Sequence, residues 1–154
     1  MQDAKSKDMK DPYLKPVIFS GLLITLLTII FAPGIFLWAI VGGYVAVKLS
    51  YKLIKEIISI KDSLLLGLFS GIIGGTCLNL LSILTFNDPH NQKVLISTLK
   101  NHWPSELAVP DFYQMLPSIF FITCILIVLI SVVFSVLGSY FGFVMSKHDK
   151  KIKS

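Results

Sequence analysis

The sequence contains no arginine, and all fourteen of its basic residues are lysine. Arginine is the side chain that most often reads a guanine edge or holds a phosphate through two parallel hydrogen bonds. Its absence argues against a nucleic-acid partner, in spite of the net charge of +5. We therefore expect no nucleic acid among the partners of this protein.

Cysteine is scarce, since the 154 residues include only Cys77 and Cys124. Both lie in apolar runs, so the sequence offers neither a disulfide framework nor a Cys/His zinc pattern. The chain also lacks a nucleophile elbow, a phosphate-binding loop and paired catalytic carboxylates. These absences predict a protein that is not an enzyme and that uses no metal ion or cofactor.

Charge is also low. Charged residues make up 15% of the chain, against about a quarter in soluble domains, whereas hydrophobic residues make up 54%. Four apolar runs, at about 16–31, 35–51, 63–86 and 117–145, predict membrane-spanning helices. They contain no acidic, basic or histidine side chain except Lys48 at one edge. A proton-coupled transporter usually carries such a residue inside the membrane, so this function is disfavoured.

The connections predict how the runs are arranged. The turn at Ala32–Gly34 is so short that the first two runs must form a helical hairpin. The connection 87–116 contains apolar residues at near-helical spacing, which predicts a short helix on the outer surface. After it, Pro104, Pro110 and Pro117 are expected to interrupt regular structure.

The lysines predict the orientation. Only Lys93 and Lys100 lie in the connection 87–116, while the other twelve lie near the opposite ends of the runs. By the positive-inside rule, both termini are cytoplasmic. We also expect an amphipathic stretch, Tyr51–Lys61, on the inner surface. The predicted fold is one all-α domain spanning the whole chain, an integral membrane four-helix bundle of two helical hairpins in the bacterial inner (cytoplasmic) membrane.

Small residues recur at four-residue spacing in the third and fourth runs. In lipid, helices associate by close approach of their backbones, which small residues permit. We predict that a glycine zipper on the third run packs against a similar face on the fourth, and that the second run contributes to the same contacts. The predicted helix-packing residues are Ser63, Gly67, Gly71, Gly75, Gly42, Ala46, Ser131, Ser135, Gly138 and Gly142.

The segments 41–52 and 137–148 share a pattern of small residues, a tyrosine, an apolar run and a serine. We interpret both as contact seams between helices. An ancestral duplication of one hairpin is the alternative, and it stays open at the level of sequence.

A second set of side chains has polar or thiol groups at similar predicted depths in the membrane. Hydrogen bonds between helices and soft packing are the simpler interpretation, with a small polar pocket or a cysteine pair as the alternative. These intramembrane candidates are Asn79, Thr76, Cys77, Thr123, Cys124 and Thr25.

Part of the chain resembles a known type of protein. The residues that carry the resemblance are "LLLGLFSGIIGG" in the third run, "FNDP" at its outer end and a fourth run with serine and glycine that leads to a lysine tail. These features resemble small four-span bacterial membrane proteins of unknown function, of a type common in Bacteroidota. The resemblance implies a bacterial membrane protein and brings no activity or site residues.

The sequence therefore predicts a non-enzymatic, multi-pass membrane protein that serves as an accessory or assembly subunit of a larger membrane complex and packs against its partners through small-residue helix faces. Its expected partners are membrane lipids and other transmembrane helices. One alternative is a small homo-oligomeric channel or facilitator for a neutral solute or ion, with Asn79 and neighbouring hydroxyl groups in its lining. A further alternative is a lipid-interacting protein that uses the lysine-rich inner rim.

Overall fold

The computed structural model describes residues 12–54, 58–104, 106 and 110–153. These residues form helices and no strand, which confirms the all-α prediction within this part of the chain. The five α-helices are α1 (Leu14–Ile30), α2 (Ile35–Ile54), α3 (Ile60–Phe86), α4 (Pro89–His102) and α5 (Phe112–Lys153), and a short 3₁₀ turn (Ala32–Gly34) joins α1 to α2.

Three of the helices are long and apolar enough to cross a membrane, and they lie within Ala32–Ile54, Ile60–Phe86 and Phe112–His148. The fourth apolar helix, Leu14–Ile30, is shorter, with 17 residues. These helices are compatible with a multi-pass membrane protein. Four crossings, the membrane and the side on which the termini lie stay predictions.

The four apolar helices are arranged as a rhombus. α2 and α3 contact each other, and each of them also contacts both α1 and α5. Within the described residues, α1 and α5 do not touch. The short diagonal is formed by α2 and α3. Each of these two helices therefore packs against α1, against α5 and against the other.

The starts of α3, α4 and α5 are defined by side chains that accept backbone hydrogen bonds. Ser59 Oγ accepts from the Asp62 backbone at the start of α3 (3.1 Å), and Asp88 accepts from the His90 backbone at the start of α4 (2.9 Å). Asp111 does the same for the first turn of α5. Caps of this kind satisfy backbone N–H groups that have no partner within the helix.

The predicted amphipathic stretch Tyr51–Lys61 does not form one helix. α2 ends at Ile54, and Ser59 is extended where it caps α3. Residues 55–57 lie outside the described residues. Ile58, expected on the membrane surface, is instead buried against α2 and α3, next to Val47 and Leu66. Burial of this side chain in the bundle explains why the surface prediction is wrong at this position.

The helix that contains the fourth run is longer than the predicted span. α5 starts at Phe112 rather than at Pro117, and it continues to Lys153 rather than to about residue 145. Pro117 was expected to interrupt regular structure, but it lies in the second turn of α5. A proline there removes a single backbone hydrogen bond. The start of the helix is anchored by the Asp111 cap and by the buried side chain of Phe112.

The remaining boundaries are close to those predicted. The first and third helices begin two and three residues earlier, at Leu14 and Ile60, and the second ends three residues later, at Ile54. A helix within the connection 87–116 is confirmed as α4, Pro89–His102. Its buried Ile96 packs with Phe112 and Leu116 at the start of α5. We call this end of the bundle the outer end, following the lysine distribution.

Candidate functional site

The α3–α5 contact is built from the glycines of α3. A Cβ added at Gly67 would lie 2.8 Å from the carbonyl oxygen of Ser135, and one at Gly71 would lie 2.6 Å from Val132 Cα. One at Gly75 would lie 2.9 Å from Val128 Cα. The partner number falls as the glycine number rises, so α3 and α5 run antiparallel. Along this seam the backbones of α3 and α5 lie close together, because glycine has no side chain that would hold them apart.

Serine hydroxyl groups cross the same seam. Ser63 Oγ donates to the backbone oxygen of Ser139 (2.9 Å). The hydroxyl oxygens of Ser70 and Ser135 lie 2.8 Å apart and share a hydrogen bond. All four serines are fully buried. These bonds add to bonds within each helix, since the Ser70 and Ser139 hydroxyls also donate to Gly67 O and Val136 O (3.1 and 2.7 Å), so these buried polar groups are paired.

The second helix uses two adjacent glycines for two different neighbours. Gly42 lies against Ile24 of α1, whereas Gly43 lies against the backbone of Ser135 and Ser139 on α5. Ala46, one turn further along α2, is fully buried.

Two glycines of α5 face α2 in return. Gly138 contacts the Ile40 backbone, and Gly142 lies near Tyr44 and Val47. Partner numbers rise together, so α2 and α5 run parallel. Gly42 and Gly138, which are paired in the duplication alternative, contact α1 and α2 respectively, so the duplication gains no support from their surroundings.

The intramembrane polar candidates do not form one cluster. Asn79 Nδ2 donates to the backbone oxygen of Cys124 across the α3–α5 seam (2.9 Å). Thr25 is buried, and its hydroxyl hydrogen is shared between Gly21 O of its own helix (3.1 Å) and Gly74 O on α3 (3.2 Å).

The other members of this set lie apart from these two bonds. Thr76 and Thr123 are exposed, and the Thr123 hydroxyl donates within its own helix. Cys77 and Cys124 are half-buried free thiols. The set therefore supplies two separate bonds between helices, one from Asn79 and one from Thr25.

Replacing Asn79 by leucine is expected to change the free energy of unfolding by less than about 1 kcal/mol. The substitution removes the bond to Cys124 O, and bonds of this kind average about 0.6 kcal/mol in a membrane protein. It also removes Asn79 Oδ1, a buried oxygen with no hydrogen-bond partner, and relief of that atom offsets part of the loss. Reversible denaturation in mixed micelles measures the effect, with Thr123→Val as the control. A loss above about 2 kcal/mol would contradict this account of the side chain.

A cavity of about 760 Å³ lies at the outer end of the bundle. Its floor is the α1–α2 turn, with Ala32 and Ile35, and its walls come from α3 and α5. The first turns of α4 cover it through Asn91, Gln92 and Leu95. No residue of the predicted helix-packing or intramembrane sets lines this cavity.

Polar residues near the outer end serve the backbone. Asn91 and Gln92 donate their side-chain amides to the last carbonyls of α3, Thr85 O and Phe86 O, each at 3.0 Å. Among the described residues, no three histidine, cysteine or acidic side chains lie close enough together to hold a metal ion.

At the opposite end of the bundle, Lys48 Nζ donates a hydrogen bond to the Tyr44 hydroxyl (2.9 Å).

Several seam residues are absent from the predicted helix-packing set. Gly74 and Ser70 were not predicted as contacts, and Gly43 and Ser139 were included only as members of the two segments interpreted as seams. The available signal was the pair of adjacent glycines, which occurs at 42–43 on α2 and 74–75 on α3. Adjacent helical residues point about 100° apart, so a glycine pair indicates a helix enclosed by two neighbours.

No model of a known protein family, no curated protein and no solved structure matches the chain. The resemblance to small four-span proteins of Bacteroidota therefore stays a prediction that rests on its own residues.

Proposed function

We propose that the protein is a non-enzymatic subunit of the bacterial inner membrane that helps to assemble or stabilise a larger membrane complex. One observation carries the proposal. In the most apolar stretch of Phe112–His148, only 11% of the residues are buried within the chain, against 33% and 39% in the corresponding stretches within Ala32–Ile54 and Ile60–Phe86. Among the three long apolar helices, this stretch of the longest one is thus the least covered by its own chain.

The contact surface in this proposal differs from the one expected from the sequence. All ten glycines of the chain are buried, and the close contacts of the seam glycines are made within the chain itself. The exposed side of α5 instead carries large aliphatic side chains, including Ile122, Leu129 and Val133. Large side chains of this kind fit against small residues on a partner helix, since close packing in lipid needs small residues on one side of the contact.

The residues expected to line a channel lie at positions that argue against the channel alternative. Asn79 is bonded to Cys124 O, and Ser131 and Ser135 are buried between helices. Contact between α2 and α3 also fills the centre of the rhombus. A path for a solute would have to run between copies of the chain, and there the exposed side of α5 offers mainly hydrocarbon. Unchanged solute flux in Asn79→Leu after reconstitution would exclude the lining that was expected.

The test is site-specific crosslinking in native membranes. In a background with both native cysteines replaced by alanine, a single cysteine is placed at Leu129 on α5 or, as the matched control, at Leu22 on α1. The two side chains are 53% and 52% exposed. We expect Leu129→Cys to give one stoichiometric adduct with a different membrane protein and Leu22→Cys to give none. Only monomer from both variants at native expression would contradict the proposal, and an adduct between two copies would favour the homo-oligomer.

A further inference from the structure

The outer cavity exists because the α1–α2 pair is shorter than the helices beside it. α1 has 17 residues and α3 has 27, which correspond to about 25 Å and about 40 Å at the rise of an α-helix. The turn Ala32–Gly34 therefore reverses the chain below the outer end of α3. The space above the turn is lined by α3, α4 and α5 and stays open to one side, and its volume of about 760 Å³ is within the range of small-molecule sites.

Each hydroxyl group and each side-chain amide nitrogen in the cavity wall already donates a hydrogen bond within the chain. Thr28, Ser82 and Thr85 each donate to the carbonyl oxygen four residues earlier, at 2.8, 2.9 and 3.1 Å. The amides of Asn91 and Gln92 donate to the end of α3. A ligand in this cavity meets aliphatic and aromatic surface and hydroxyl groups whose hydrogens point into their own helices. The wall therefore favours hydrocarbon over a polar solute.

The rim of the cavity is apolar as well. Ile29, Leu81 and Leu95 line the cavity and are still 64%, 41% and 39% exposed. A mouth with such a rim opens onto hydrocarbon in a bilayer, while α4 covers the side toward the outer surface. An empty apolar cavity loses the dispersion contacts of its wall. Chains of the surrounding lipid can restore them, and they are present at very high local concentration.

We infer that this cavity binds one acyl chain of a phospholipid from the outer leaflet. The inference rests on the membrane location proposed above, but not on a partner protein. The chain enters from the side, below α4, and lies against Ile35, Leu78 and Phe120. The phospholipid then fills the part of the bundle that the short α1–α2 pair leaves open.

The experiment uses two tryptophan substitutions at adjacent positions of α4. Leu95→Trp adds bulk inside the cavity, whereas Val94→Trp adds the same bulk at a position that is 51% exposed and does not line the cavity. The full chain is reconstituted into vesicles of phosphatidylethanolamine and phosphatidylglycerol, extracted in mild detergent and examined by native mass spectrometry. We expect one bound phospholipid per chain in the unchanged protein and in Val94→Trp, and a bound fraction about tenfold lower in Leu95→Trp, because the added indole removes the space for the chain.

A second pair of variants approaches the cavity from α3. Ser82→Trp fills it from the wall, and Thr76→Trp places the same side chain on an exposed position of the same helix. Thermal unfolding of all four variants separates loss of lipid from loss of fold. Agreement between the two pairs ties the bound lipid to the cavity rather than to one substitution.

Three results would overturn the inference. They are no retained phospholipid on the unchanged protein, equal retention in Leu95→Trp and Val94→Trp, and a retained isoprenoid or quinone instead of a phospholipid. Failure of the proposed location is a different result, because the chain would then be missing from the membrane fraction of the cells before any lipid is measured.

Discussion

Replacing Gly138 by alanine is expected to lower the free energy of unfolding by about 2 to 3 kcal/mol. The added methyl group would overlap the carbonyl oxygen of Ile40 and lie 2.8 Å from Ile40 Cα. Both are backbone atoms of α2, so no change of side-chain rotamer relieves the overlap. The two helices must separate, and the dispersion contacts along their seam weaken over several turns. Reversible denaturation in mixed micelles measures the loss.

Gly142→Ala is the matched control for this prediction. It lies one turn further along α5 and faces the same helix, but its added methyl group would lie 3.2 Å from both Tyr44 O and Val47 Cβ. Alanine is favoured over glycine inside a helix by about 1 kcal/mol. We therefore expect Gly142→Ala to be neutral or slightly stabilising. Equal losses at the two positions would show that the Ile40 contact is not what limits the approach of α2 and α5.

The helices were predictable because their signal is local. The composition of each apolar run is enough to predict a helix in an apolar environment. In the same way, the spacing of Leu95, Leu99 and Trp103 within one segment predicts α4. The boundary errors came from contacts between segments. Ile58 was assigned to the membrane surface because it shares an apolar helical face with Leu53 and Ile54 opposite the charged residues, whereas the contact that buries it involves α2 and α3.

The seams were partly predictable for the same reason. Four-residue spacing identifies a face of α3, and the structure places Gly67, Gly71 and Gly75 of that face against α5. Four-residue spacing does not show which helix packs on which face of α3. Gly74 faces α1 and lies outside the four-residue series, so it was missed. The outer cavity had no sequence signal in any one segment, since it depends on how far the Ala32–Gly34 turn reaches along helices that are distant in sequence.

The buried small residues and the exposed large ones have a joint consequence for function. With every glycine used inside the chain, the bundle is stabilised by its own seams and does not need a partner to cover them. Its outer surface is left to lipid and to any partner that supplies small residues of its own. The proposed complex and the proposed phospholipid therefore use different surfaces, the exposed side of α5 and the cavity below α4, and each can be tested without disturbing the other.

Gly71→Ala is expected to lower the free energy of unfolding by about 2 kcal/mol, through the α3–α5 seam. The added methyl group would lie 2.6 Å from Val132 Cα and 2.7 Å from Ser131 O, again backbone atoms. Gly74→Ala, on the α1-facing side of the same helix, meets Ile24 Cβ at 3.0 Å and is expected to cost less than about 1 kcal/mol.

A double-mutant cycle shows whether the loss in Gly71→Ala comes from separation of α3 and α5. The neighbouring hydrogen bond between Ser70 and Ser135 spans 2.8 Å, and a small increase in helix separation lengthens it beyond a useful distance. Ser70→Ala should therefore cost about 1 kcal/mol in the unchanged protein and clearly less in the Gly71→Ala background. The same cost in both backgrounds would mean that the seam keeps its width, and that the destabilisation by Gly71→Ala has a local cause within α3.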